Sequence, residues 1–250
     1  MEGLEHSLAL VEVFNRIFGP PLAAVLALLG VRVKDPAHLV PDHIVMCLFV
    51  MVLLILVLGL ASRRLSLVPG RRQTILEILY ESLENLLTDI IGESGKKYLP
   101  MIGTVGLFIL CSNLLGLVPG FMSPTSKINV TLGCAVTVFV YYHWQGIKAQ
   151  GLWKYLGHFA GPIPLLAPLM FPIEVISHFS RPLSLSVRLF GNIFAEELLI
   201  VVIASILPFL LPLPFMAVAI FTGAIQAFVF VLLSCIYISG AVAHEEDHAE

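Results

Sequence analysis

Glu174, His178, Arg181, Arg188, Glu196 and Glu197 all stand inside one otherwise apolar segment, Pro168 to Leu211. At the roughly 100° per residue of a helix, His178 falls about 40° from Glu174, with Arg181 and Arg188 about 20° and 40° to the other side. Asn192 returns in line with Glu174 and Glu196 lies about 40° on, so these groups share a wedge roughly 80° wide. Glu197 points about 100° away from it, toward a different neighbour. Carboxyl and imidazole groups take up and release protons, whereas a guanidinium keeps its charge at any physiological pH. The chemistry on offer is therefore ion movement past a fixed positive charge. Glu174 and Arg181 also admit a plainer reading, snorkelling to a nearby interface, and His178 admits one as a structural hydrogen-bonder. Arg188 does not, because it lies about halfway along the segment with neither end in reach.

The elements that must position these groups follow from composition. Of 250 residues, 58% are hydrophobic and 12% charged, with a mean hydropathy of +0.95. An ordinary globular domain is about 25% charged, so lipid must be the solvent for most of this chain. A net charge of -3, with no basic run longer than two residues, excludes a nucleic-acid binder. The hydrophobicity likewise excludes disorder. Cys47, Cys111, Cys134 and Cys235 each stand alone in apolar surroundings and read as small buried hydrophobes, so no metal site is expected. The opening Met1-Glu2-Gly3-Leu4-Glu5 is acidic where a signal peptide is basic, so no cleavable signal is expected.

An all-α polytopic membrane protein results, with about five crossings of a core about 30 Å thick. Uninterrupted apolar length sets the spans at about 44–61, 100–121, 128–147, 168–211 and 214–242. The fourth would run roughly 60 Å as one helix, so it must tilt steeply, break, or leave the bilayer. Pro208, Pro212 and Pro214 mark a hairpin between the two long helices. Residues 1–43 form an external or interfacial segment, in which Leu22 to Val31 is too short to cross. Gln73 to Gly92 alternates apolar residues with Glu77, Glu81, Glu84 and Asp89, the pattern of an amphipathic helix on the inner surface. With the N-terminus outside, the inner loops hold Arg63, Arg64, Arg71, Arg72, Lys96, Lys97, Lys148 and Lys154. The outer segments hold only Arg16, Arg32, Lys34 and Lys127. That asymmetry puts the C-terminus in the cytoplasm. No internal repeat is visible, which weighs against the common secondary-transporter folds. No P-loop and no GxSxG elbow occurs either.

The run from Arg181 through Arg188-Leu189-Phe190-Gly191-Asn192, followed by Ala195-Glu196-Glu197-Leu198, resembles the signature of subunit a of F-type ATP synthases. Weaker matches follow in order: Pro69-Gly70 with Gln73, Asn113 to Pro119, Ile128 to Leu132, and Gln226 to Phe230. The resemblance implies a stator beside a ring of c subunits, reached by an aqueous half-channel from each side. It implies that Arg188 is the essential arginine, with Asn192 beside its contact with the ring. It implies that Glu197 with Gln226 lines the outer channel, and that Glu174, with His178 and Ser177, is the candidate lining of the cytoplasmic one. It also implies no cofactor, ATP chemistry on other subunits, and b-type peripheral stalk subunits and the lipid bilayer as further partners. The location implied is a bacterial plasma (inner) membrane. The chain departs from the family's pattern where Ala219 stands seven positions before Gln226, a place often polar, and where Glu196 replaces a small residue. Adjacent acids at Glu196 and Glu197 can hold in one place what other members split between helices. Two other classes stay open. A self-contained ion or solute transporter would move solute when reconstituted alone, and a structural scaffold would keep ion flux after Arg188→Ala.

Overall fold

The computed structural model describes residues 9–28, 39–63, 70–118, 120–158, 167–207 and 211–242, and every described element is helical. Helix α1 covers Ala9–Leu28, α2 Asp42–Ser62, α3 Arg71–Ile91, α4 Leu99–Leu115, α5 Ile128–Gln150, α6 Leu152–His158, α7 Ala167–Ile206 and α8 Pro212–Val242. Short 3-10 turns at Glu93–Tyr98 and Pro124–Ser126 precede α4 and α5. In lipid a backbone must satisfy its own polar groups, so helices are the only open-ended solution for so apolar a chain.

Local chemistry sets the helix ends. Pro100 and Pro212 occupy first turns, where a missing N–H costs nothing. Gly92 and Gly151 end α3 and α5 with φ of 92° and 79°, a conformation that a side chain would resist. Helix α7 settles the question of the long fourth segment: it is one unbroken helix of 40 residues, running through Pro172 and Pro182. Pro208, expected in the hairpin to α8, lies outside the described residues.

Three boundaries differ from the sequence reading. Helix α4 stops at Leu115, where the apolar run continues to Phe121. Residues beyond Gly116 turn back under the bundle, because the hydroxyls of Ser123, Thr125 and Ser126 find partners there. The N-terminal helix is longer than the apolar stretch from Leu22 and starts at Ala9. The side chain of Asn15 brackets the backbone of Val40 with two hydrogen bonds of 3.1 Å, tying α1 to the approach of α2. Finally, the described helices long and apolar enough to cross a membrane are α2, α4 with its preceding turn, α7 and α8. Helix α5 has the length but turns polar in its second half, at Tyr141, Tyr142, His143, Gln145 and Lys148.

The core is built on α8. Phe230, Val231, Cys235 and Ile238 pack against Leu87 of α3, Ile102 and Ile109 of α4, Val138 of α5, and Leu185 and Leu189 of α7. Gly106 lets α4 come so near α8 that a Cβ there would lie 2.5 Å from Val231 Cγ2. Polar links fix which ends lie together. The Ser239 hydroxyl donates to Ile90 O (3.0 Å) and Gln150 Nε2 to Ala241 O (3.0 Å), gathering the ends of α3, α5 and α8. At the opposite end, Asn113 Nδ2 donates to Gly223 O (3.0 Å), joining the end of α4 to the first half of α8.

Candidate functional site

Helix α7 has one face turned into the chain and one turned away. Leu185, Ser186, Leu189 and Ile193 are buried, and the Ser186 and Thr131 hydroxyls, 3.1 Å apart, pin that face to α5. The rest of its surface includes Leu183, Val187, Arg188, Asn192 and Leu198, all exposed. Only 11% of the most apolar stretch of α7 is buried. Arg188 makes no hydrogen bond or ion pair with any described residue. Asn192, one turn on, donates through Nδ2 to Oε1 of Gln226 on α8 (2.8 Å). Gln226 is buried, and its own Nε2 finds no described partner.

The wedge expected from the helical wheel is one stripe on α7 but not one environment. Glu174, His178 and Arg181 are half-buried, Arg188 and Asn192 are exposed, and Glu196 is half-buried again. The neighbours change along a helix this long. The stripe's first part lies by the polar end of α5, Arg188 and Asn192 at its middle are exposed, and its last part meets the α4–α5 connection.

At the second half, Glu197 Oε1 accepts the backbone N–H of Ser123 (3.0 Å). The Ser123 hydroxyl donates to Ser112 O (3.0 Å) and lies 2.7 Å from the Thr125 hydroxyl, which donates to Asn113 Oδ1 (2.6 Å). Those three contacts share two hydroxyl protons, so the protons can be ordered in more than one way. Glu196 turns instead to the Thr222 hydroxyl on α8, one turn from Ala219. The two acids are neighbours in sequence but serve different helices.

At the first half, Glu174 Oε1 lies 3.3 Å from His178 Nε2, and His178 Nδ1 lies 3.2 Å from the Tyr142 hydroxyl. Ser177 stays outside this cluster; only its carbonyl is engaged, accepting from the Ser180 hydroxyl (2.7 Å). Arg181 stands over the Tyr237 ring at 5.4 Å. Along the helix, Arg188 is about 21 Å from Glu174 and about 14 Å from Glu197. Two separate polar clusters thus flank one unpaired cation.

The shared pattern of the ATP synthase A chain family matches residues 44–239, which contain every residue of both clusters and Arg188. The chain belongs to this family. It is 49% identical over 207 residues to ATP synthase subunit a of Geotalea daltonii, covering 83% of this chain and 89% of that one. Against ATP synthase subunit a 1 of Pelobacter propionicus the identity is 46% over 220 residues, 87% of this chain and 95% of the relative. The subunit a of Campylobacter fetus is 44% identical over 203 residues, 80% and 90% of the two chains. As a member of this family with several described helices long and apolar enough to cross a membrane, the chain is an integral membrane protein. Helix α1 lies ahead of the shared region.

Sequence reasoning missed Ser123, Thr125 and Ser126, exposed by only 1%, 0% and 3%. The signal was present in Asn113, a polar residue inside an apolar helix, which needs a partner from somewhere. It also missed Tyr142 and His143, where α5 changes from apolar to polar. One further pattern plays no part in the described site: His244-Glu245-Glu246-Asp247-His248 has the H-E-x-x-H spacing of zinc proteases and lies outside the described residues.

Proposed function

We propose that this subunit a is the stator of the Fo sector, carrying protons to and from a rotating ring of c subunits without doing ATP chemistry itself. The observation that carries the reading is Arg188, an unpaired cation on an exposed apolar face, flanked by two polar clusters toward opposite ends of α7. A charge at membrane depth marks an ion pathway when its partner lies elsewhere. An acidic side chain on a passing ring subunit is the fitting counter-charge. Guanidinium attracts the carboxylate and so favours release of its proton, yet cannot relay a proton, which keeps the two pathways apart. Glu197, Ser123, Thr125 and Asn113 line the outer pathway, with Glu196 beside them. Glu174 and His178 line the cytoplasmic one. Asn192, held by Gln226, sits one turn from the contact with the ring. A membrane potential of about 100 mV supplies roughly 2.3 kcal/mol for each proton that crosses.

The same reading places the protein in a bacterial plasma membrane, N-terminus outside, with α5 as a fifth crossing and α3 on the inner surface. Peripheral stalk subunits of the b type and the catalytic head complete the assembly. The test uses inverted membrane vesicles carrying the whole complex. Arg188→Ala abolishes ATP-driven proton pumping while the detached head still hydrolyses ATP. Arg188→Lys also fails in coupled synthesis, because a compact ammonium lacks the planar fork and shifts its titration when desolvated. Coupled pumping at the wild-type rate by either variant refutes the proposal.

A further inference from the structure

His143 of α5 belongs to no motif of the sequence, yet it is packed against His178 of α7. Their rings meet edge to face, with centroids 5.3 Å apart. His143 Nδ1 faces the Phe139 carbonyl at 2.9 Å. A carbonyl only accepts, so Nδ1 carries the hydrogen and Nε2 is the nitrogen left to take up a proton. His178 stands between the Glu174 carboxylate and the Tyr142 phenol. The Tyr155 ring of α6 meets His143 edge-on at 5.9 Å. Arg181, stacked on Tyr237 of α8, brings a permanent positive charge whose field reaches His143, Tyr142 and Tyr155. The described groups around the two imidazoles include the Glu174 carboxylate, the Arg181 cation and the Tyr142 and Tyr155 phenols. His143 lies about 10 Å inside the end of α5 and His178 about 16 Å inside the start of α7, deep enough that bulk water does not screen them freely.

We propose that His143 is a second proton-binding group of the cytoplasmic pathway, holding one proton in common with His178 on its way to the ring. This rests on the reading of Glu174 and His178 as that pathway's lining. Two unit charges 5.3 Å apart, at an effective dielectric of about 20, make double occupation about 200-fold rarer than for independent sites. Near neutrality the pair therefore holds one proton at most, and an imidazole stays free to receive the next. In the pumping direction His143 Nε2 takes a proton from hydronium, leaving water, and the pair hands that proton on toward the ring, which restores the neutral imidazoles. His143 thus gathers protons where hydronium is scarce.

The experiment measures ATP-driven proton pumping by the whole complex in inverted vesicles, as the pH outside, which is the cytoplasmic face, is raised from about 6 to about 8, across the range where imidazoles lose their charge. Hydrolysis by the detached head at each pH normalises the rates. His143→Asn keeps an amide N–H for the Phe139 carbonyl but cannot be protonated, and His143→Gln serves as a second variant should the first assemble poorly. His143→Asn pumps about threefold or more slower than the wild type at about pH 8 and approaches it at about pH 6, where hydronium is plentiful. Wild-type pumping in both variants at every pH, or a loss that does not change with pH, overturns the inference. Glu174→Gln and His178→Gln separate it from the reading beneath it. If these two slow pumping while the His143 variants pump as the wild type does, only the inference falls. If they pump as the wild type does at every pH, the reading of the cytoplasmic pathway falls with it.

Discussion

Gly116 offers the sharpest test of the outer pathway, because a single methyl group there presses on the contact that holds Glu197. A Cβ at Gly116 would lie 2.5 Å from Ser123 Cβ, 3.1 Å from the Ser123 nitrogen and 3.1 Å from Glu197 Oε1. Carbon atoms in contact rest at about 3.5–4.0 Å, so Ser123 has to retreat by about 1 Å or more. Its N–H bond to Glu197 is 3.0 Å long, and a bond stretched to about 3.6 Å or beyond is lost. The backbone itself accepts alanine, since Gly116 is in the right-handed helical region with φ -62°. Overpacking of this kind costs about 1–3 kcal/mol, and the lost bond adds about 1 kcal/mol. If about 1.4 kcal/mol of that reaches the barrier for proton uptake, the rate falls about tenfold. The assay is passive proton conductance of vesicles stripped of the catalytic head, normalised to the amount of assembled complex. Gly133→Ala is the control, because a Cβ there meets nothing within 4 Å and conductance should not change. Wild-type conductance in a normally assembled Gly116→Ala complex would show that the Ser123–Glu197 contact does not govern access.

Gln substitutions at Glu196 or Glu197 should each slow coupled synthesis partially, and the double substitution should nearly eliminate it, because the two acids engage different helices through Thr222 and Ser123. Wild-type conductance in Glu196→Gln, with the double variant no worse than Glu197→Gln, rules out that shared role. Gly106→Leu should force α4 from α8, since the first added carbon already lies 2.5 Å from Val231 Cγ2. The expected loss is about 1–3 kcal/mol, read as a lower unfolding temperature of the detergent-solubilised complex, and an unchanged temperature contradicts the packing described.

Long apolar runs made α2, α7 and α8 legible from the sequence, because lipid leaves few other ways to house them. Arg188 stood out for the same reason: a permanent charge in such a run has no ordinary structural use. The α4–α5 connection was not legible. Ser123, Pro124, Thr125 and Ser126 have the composition of a solvent-exposed turn, and only tertiary contacts with Ser112 and Asn113 make their burial possible. The same limit applied to α7 as a whole. A helical wheel gives the angular position of Glu174, Arg188 and Glu196 about one axis. It carries no information about which neighbour stands at each level, so a single stripe concealed three surroundings. Helix α5 was legible as an apolar run, but nothing in its sequence shows that Tyr142 and His143 in its second half meet His178 of α7.

The outward position of Arg188 has a consequence for how cells make this protein. On insertion scales an arginine at the centre of a lone helix costs about 2.5–3.5 kcal/mol, and nothing among the described residues offsets that charge. A newly made copy standing alone in the bilayer would draw in water and headgroups around α7, thinning the membrane beside it. That disturbance vanishes when a counter-charged neighbour arrives. The strain is thus a property of the orphan rather than of the finished assembly, and a membrane protease that senses local thinning could single out unassembled copies for degradation without needing any sequence tag.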